Sequence, residues 1–91
     1  MNRIVNVYTV RDSKAEIFHA PQYFNTNEAA KRWIADMLQY SPESPVSKFP
    51  EDYDLYHLGT FDQTTGQINA FETPSHVVKA IHCKRLDSAV Q

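Results

Sequence analysis

The chain has 91 residues, 42% of them hydrophobic and 12% aromatic, which is enough for one core and too little for two. Eleven acidic against nine basic side chains leave a formal net charge of −2, excluding the general cationic attraction that drives non-specific binding to phosphates. The single cysteine, Cys83, excludes an internal disulfide or a paired-cysteine metal cluster and fits a reducing, cytoplasmic setting.

The first residues, Met1 to Val7, lack the apolar core and small-residue cleavage site of a signal peptide. No apolar run approaches the roughly 18 to 20 residues that span a bilayer, so no membrane association is expected. Residues 3–10, RIVNVYTV, contain five β-branched residues and predict a strand apolar on both faces, suited to the centre of a small sheet. Arg11 to Lys14 reads as a turn, and a short second strand is expected near Glu16–His19, ending at Pro21.

The clearest element is a helix from about Asn27 to Tyr40. Asn25 or Thr26 stands ready to cap it, Glu28 follows Asn25 at capping-box spacing, and Ala30, Trp33, Ile34, Met37 and Leu38 recur at helical intervals. Residues 41–50, SPESPVSKFP, hold three of the five prolines, so neither helix nor central strand is expected there. Tyr53–Phe61 then reads as a strand, residues 62–66 as a turn with Gly66 at positive φ, and Ile68–Phe71 as the returning strand of a hairpin. Pro74 in a first turn with Thr73 as cap, and Val77, Val78, Ile81 and Leu86 as an apolar stripe, predict a final helix. The expected fold is α+β: a small sheet of about four mostly antiparallel strands, one main amphipathic helix packed on it, and a short C-terminal helix. Residues 1–91 are read as a single domain with Ser88–Gln91 as a frayed tail.

Catalytic chemistry finds little material. His19, His57, His76 and His82 show no metal-ligand spacing, and Glu51-Asp52-Tyr53-Asp54 has no nucleophile or base beside it. No nucleophile elbow or phosphate loop is present in a chain with two glycines. The expectation is a non-enzymatic protein without cofactor or metal.

Charge is unevenly spread. Glu43 to Asp62 carries five acids and one base, whereas Ser75 to Leu86 carries Lys79, Lys84, Arg85 and two histidines with no acid. Lys31 and Arg32 on the main helix, and Arg3 and Arg11 flanking the first strand, extend that basic set if the fold brings them together. Single-stranded nucleic-acid binders stack bases on exposed rings beside such cations, which selects Tyr8, Tyr56 and Phe61 among the strand aromatics. The other reading of each ring is core or interface packing, and Trp33, on the apolar helix face, is assigned to the core.

The stretch Lys48-Phe49-Pro50-Glu51-Asp52-Tyr53-Asp54-Leu55-Tyr56-His57-Leu58-Gly59-Thr60-Phe61-Asp62, followed by Thr65-Gly66-Gln67-Ile68, resembles the small nonstructural protein family of gokushoviruses, Microviridae with single-stranded DNA genomes. The likeness covers most of residues 4–71, including the VY-x-V-x-D pattern of the first strand and the central helix. It implies a non-virion protein acting in DNA binding, or in the switch to single-strand synthesis and genome packaging, in the host cytoplasm. The family pattern marks no DNA contacts. Physically it reads as architecture: Pro50 ends the loop, Asp52 makes an Asx-turn, Leu55 and Leu58 pack, Gly59 permits a bulge or close strand approach, and Asp62 with Gly66 sets the hairpin.

Two functions compete on these residues. One is single-stranded DNA binding through Lys79, Lys84 and Arg85, with Lys31, Arg32 and stacking rings, in a homodimer or higher homo-oligomer that multiplies the basic patch. The other is a protein-interaction adaptor whose acidic 51–62 surface or spare apolar strand face docks on a replication or capsid protein.

Overall fold

The computed structural model describes residues 3–83. Five strands form one wholly antiparallel sheet. They are β1 (Ile4–Asp12), β2 (Ile17–Phe18), β3 (Gln22–Phe24), β4 (Tyr53–Asp62) and β5 (Ile68–Lys79). Helix α1 (Asn27–Tyr40) and the one-turn α2 (Pro45–Lys48) lie between β3 and β4, and 3-10 turns span Pro50–Asp52 and Ala80–Cys83. The sheet order is β2-β1-β4-β5, with β3 also paired to β1.

The β-branched run of the first strand sits at the middle of the sheet, between β4 on one side and β2 with β3 on the other. The short strand expected near Glu16–His19 is β2, and beyond Pro21 the chain returns to β1 as β3, against Asn6–Tyr8. Three residues are too few to show an alternating pattern, so β3 had no periodic signal. The turn before β2 is held by Asp12, whose Oδ1 accepts from the N–H groups of Lys14 and Ala15.

Helix α1 occupies the expected residues. Thr26 is its cap, accepting from Ala29 N–H, while Glu28 pairs with Lys31 at 3.7 Å and closes no capping box. Its buried face, Ala30, Ile34 and Ala35, packs on Tyr8, Val10, Tyr53 and Leu55 from the sheet, with Val46, Ala80 and Cys83 completing the core. Trp33 is half-buried at the edge of this core, its ring 5.4 Å from that of Phe24.

Two sequence expectations are corrected. The proline-rich crossing carries one helical turn, α2, because Ser44 caps it by accepting from Ser47 N–H and Pro45 sits at its first position, where an N–H is dispensable. The predicted final helix at Thr73–Ile81 is instead the end of β5, followed by the Ala80–Cys83 turn. Val78 pairs with Leu55, and Lys79 with Asp54, in the ladder. The proline that suggested a helix start lies in a bulge: between the pairs His57↔Ser75 and Gly59↔Ala70, residues Phe71, Glu72, Thr73 and Pro74 stand opposite the single residue Leu58. An edge strand accommodates Pro74 there without losing a ladder hydrogen bond. The Leu86 end of the predicted stripe, and the Ser88–Gln91 tail, lie outside the described residues.

Within the 48–68 block Leu55, Gly59, Asp62 and Gly66 have the architectural roles read from the sequence. Asp52 instead sits in a 3-10 turn with its N–H donating to the Phe49 carbonyl, and Leu58 stands opposite the β5 bulge, outside the core cluster. Leu55 is fully buried, the Asp62 side chain accepts from Thr64 and Thr65 N–H, and Gly66 has φ 81°. Gly59 lies at the register shift, its Cα against the backbone of Asn69 and Ala70.

Candidate nucleic-acid interface

Strand alternation gives the sheet two unlike sides. Tyr8, Val10, Tyr53, Leu55 and Val78 face the helices. Their neighbours Val5, Val7, Thr9 and Arg11 in β1, and Asp54, Tyr56 and Phe61 in β4, face the other way, and among the described residues no helix lies over that side. Val7 and Thr9 are nevertheless buried: Val7 pairs with Tyr23 and Gly59, and Thr9 pairs with Tyr56 and donates its hydroxyl to the His19 carbonyl.

One half of the open side carries a chain of rings. Phe18 meets Tyr56 edge-on at 5.4 Å, and Tyr56 meets His76 edge-on at 5.3 Å. The Arg11 guanidinium lies over the Phe18 ring, 5.4 Å from its centre. Arg11, Asp54 and Lys79 are partners across three adjacent strands. The Asp54 carboxylate takes His76 Nε2 at 2.9 Å and Lys79 Nζ at 3.3 Å on one oxygen, and Lys79 also donates to the Glu51 carbonyl. Asp54 therefore anchors the His76 ring and the Lys79 ammonium beside the rings instead of presenting free negative charge. The other half of this side is uncharged among the described residues: Tyr23 and Phe61 meet at 5.6 Å, beside Val5, Val7, Ile68 and Ala70.

The residues singled out in the sequence separate into groups. Arg11, Tyr56 and Lys79 come together on the ring-bearing half, and Phe61 lies on the same side but in the uncharged half. Tyr8 is fully buried, stacked on His57 at 4.7 Å with its hydroxyl donating to Asn27 Oδ1. No base has access to its ring, and burial pushes its phenol pKa up. Arg3 stands at the far end of β1 from Arg11, next to the hairpin turn, where its carbonyl accepts from Gln63 N–H. Lys31 and Arg32 belong to the helix layer across the sheet from the rings, Lys31 half-buried and Arg32 exposed. Lys84 and Arg85 lie outside the described residues.

Phe18 and His76 are the members that sequence reasoning did not select. Phe18 sits in a two-residue strand, and His76 fell in the predicted helix, so neither had a face assigned. The pairing of alternate β4 residues across a hairpin was the signal available for His76.

Two of the four acids of the surface envisaged over residues 51–62 are engaged internally, Asp54 in an ion pair and Asp62 in its turn, while Glu51 is exposed. Asp12 is similarly engaged: the Ala15 N–H, then the Lys14 N–H and the Tyr53 hydroxyl, hold its carboxyl below the ordinary value. A depressed folded-state pKa gives stability that is present above the unfolded value of about 4 and lost as pH falls through the folded value. Asp12→Asn should therefore flatten the acid limb of the stability profile, the gap between parent and variant urea midpoints narrowing as pH falls from 7 to 3.

On the helix side, an apolar cleft of about 480 Å³ opens between Val10, His19, Trp33, Met37, Pro45 and Val46. Among the described residues no three His, Cys, Asp or Glu side chains gather as a metal site, and no helix is long and apolar enough to cross a membrane.

Sheet, single helical layer and open ring-bearing side define a small open-faced α+β protein. The family described as Phage ORF5 protein matches residues 5–83. The chain belongs to this bacteriophage family. No curated protein and no solved structure matches it.

Proposed function

We propose that this phage protein is a non-enzymatic module that binds single-stranded DNA on the open side of its sheet, serving genome replication or packaging in the host cytoplasm, in a phage of the gokushovirus type. The observation that carries the reading is the Phe18–Tyr56–His76 ring chain flanked by Arg11 and Lys79. Rings offer every base a stacking surface, and the two cations at the rim meet the phosphates. With only a few cations engaged, binding relies on stacking more than on charge, consistent with the net charge of −2.

The test is fluorescence anisotropy of a labelled single-stranded oligonucleotide at low and physiological salt. Parent protein should bind saturably, with a shallow salt slope. Tyr56→Ala should weaken affinity about ten-fold, at the scale of one stacked base, with a smaller fall in melting temperature than a core truncation such as Leu55→Ala. Lys79→Ala should reduce the slope. Absence of binding at low salt, or equal binding by Tyr56→Ala, overturns the placement.

The adaptor reading draws on a different feature, the apolar cleft beside Trp33, which has the lining of a pocket for a partner's side chain. Its distinguishing result is recovery of a specific replication or capsid protein, without nucleic acid, on co-purification from infected cells.

A further inference from the structure

The uncharged half of the open side has no role in the DNA-binding reading. Ile68 is 63% exposed and Tyr23 49% exposed, and with Val5, Phe61 and Ala70 they make a patch that, among the described residues, has no charged side chain inside it. Arg3 stands only at its rim. A contiguous apolar patch of this kind on a short chain with a modest core marks an interaction surface.

We propose that this half is a two-fold interface with a second copy of the same chain, the sheets packing face to face. Charge selects the occupant and the register. Two copies each carrying −2 meet most favourably where neither presents a charge, and an isologous contact sets the patch against itself. A two-fold axis running across the strands stacks the uncharged halves and leaves the ring chains open at opposite ends. An axis along the strands would set Arg11, His76 and Lys79 against their own copies. Continuous-sheet pairing through β5 is the other symmetric arrangement, and the Phe71–Pro74 bulge interrupts that edge.

The size of the patch sets the strength. Four strands, β3, β1, β4 and β5, cross it at about 4.8 Å spacing, and some four residues of each at about 3.3 Å per residue give a footprint roughly 19 by 13 Å. That is about 250 Å² of flat area per copy, below what a stable specific interface buries, so the contact is a weak, transient one, populated toward the top of an accessible concentration range.

Sedimentation equilibrium of the full chain across about 1 to 300 μM tests this. The parent should show a monomer–dimer equilibrium, and Ile68→Asp should weaken it at least about ten-fold with an unchanged thermal melt, Ile68 being exposed in the monomer. A parent that stays monomeric, or an Ile68→Asp variant that dimerises as tightly as the parent, overturns the proposal. Loss of oligonucleotide affinity in a monomeric Ile68→Asp, where the parent is monomeric too, assigns the patch to the nucleic acid instead. Retained affinity in that variant keeps the DNA-binding reading separate from the fate of this one.

Discussion

Gly59→Ala should destabilise the protein by about 3 kcal/mol, lowering the melting temperature by roughly 12–24 °C for a chain of this size. Gly59 has φ 156°, and a Cβ there would overlap the carbonyl oxygen of Asn69 and lie 2.8 Å from Ala70 Cα. Both obstacles are backbone, in the strand that pairs with β4, so relief requires moving β5 away and loosening the ladder on the hairpin side. Urea denaturation of parent and variant measures the effect. A change below 1 kcal/mol would mean that the strands separate freely at the bulge.

Leu55→Ala should cost about 2–5 kcal/mol by removing a fully buried side chain from the contact of β4 with α1. Its neighbour Tyr56, one residue along and on the opposite side, is half-exposed and sits among rings instead of under a helix. The two substitutions should separate cleanly by alternation: position 55 moves the unfolding midpoint and position 56 moves the oligonucleotide affinity. Comparable destabilisation at both positions would mean that the open side is packed as part of the core, which removes the basis for a stacking surface.

Much of this arrangement was legible in the chain. The Asn27–Tyr40 helix announced itself through Thr26 and the Ala30/Ile34/Met37 spacing, and the Tyr53–Asp62 strand through its aromatic content and the Asp62/Gly66 turn. Reading failed where local signals were equivocal. Pro74 with Thr73 before it fits a helix start as well as it fits an edge bulge, and only the pairing of Ser75, His76, Val78 and Lys79 with β4 decides between them. The site suffered from a different ambiguity. In RIVNVYTV both alternating faces are apolar, so the residues alone do not say which one the helix covers. Tyr8 and Tyr56 looked equivalent, and α1 takes the side of Tyr8. The Arg3 and Arg11 pair failed for a simpler reason, because an extended strand carries residues near its two ends apart, whereas Arg11 and Lys79, remote in sequence, flank the same β4 residue.

The pairing of β1 with β4 also has a bearing on how the molecule is made. The first strand is made before α1 and the proline-rich crossing, and its longest ladder partner emerges only after them. In the interval β2 and β3 occupy one edge of β1 and the other edge is open. Non-local closures of this kind are slow, and a β-branched segment waiting for its partner is where association of unfinished chains begins. Helix α1, capped by Thr26 and packed on Tyr8 and Val10 in the finished fold, precedes β4 along the chain, so the element that covers one side of that strand is made before the ladder closes.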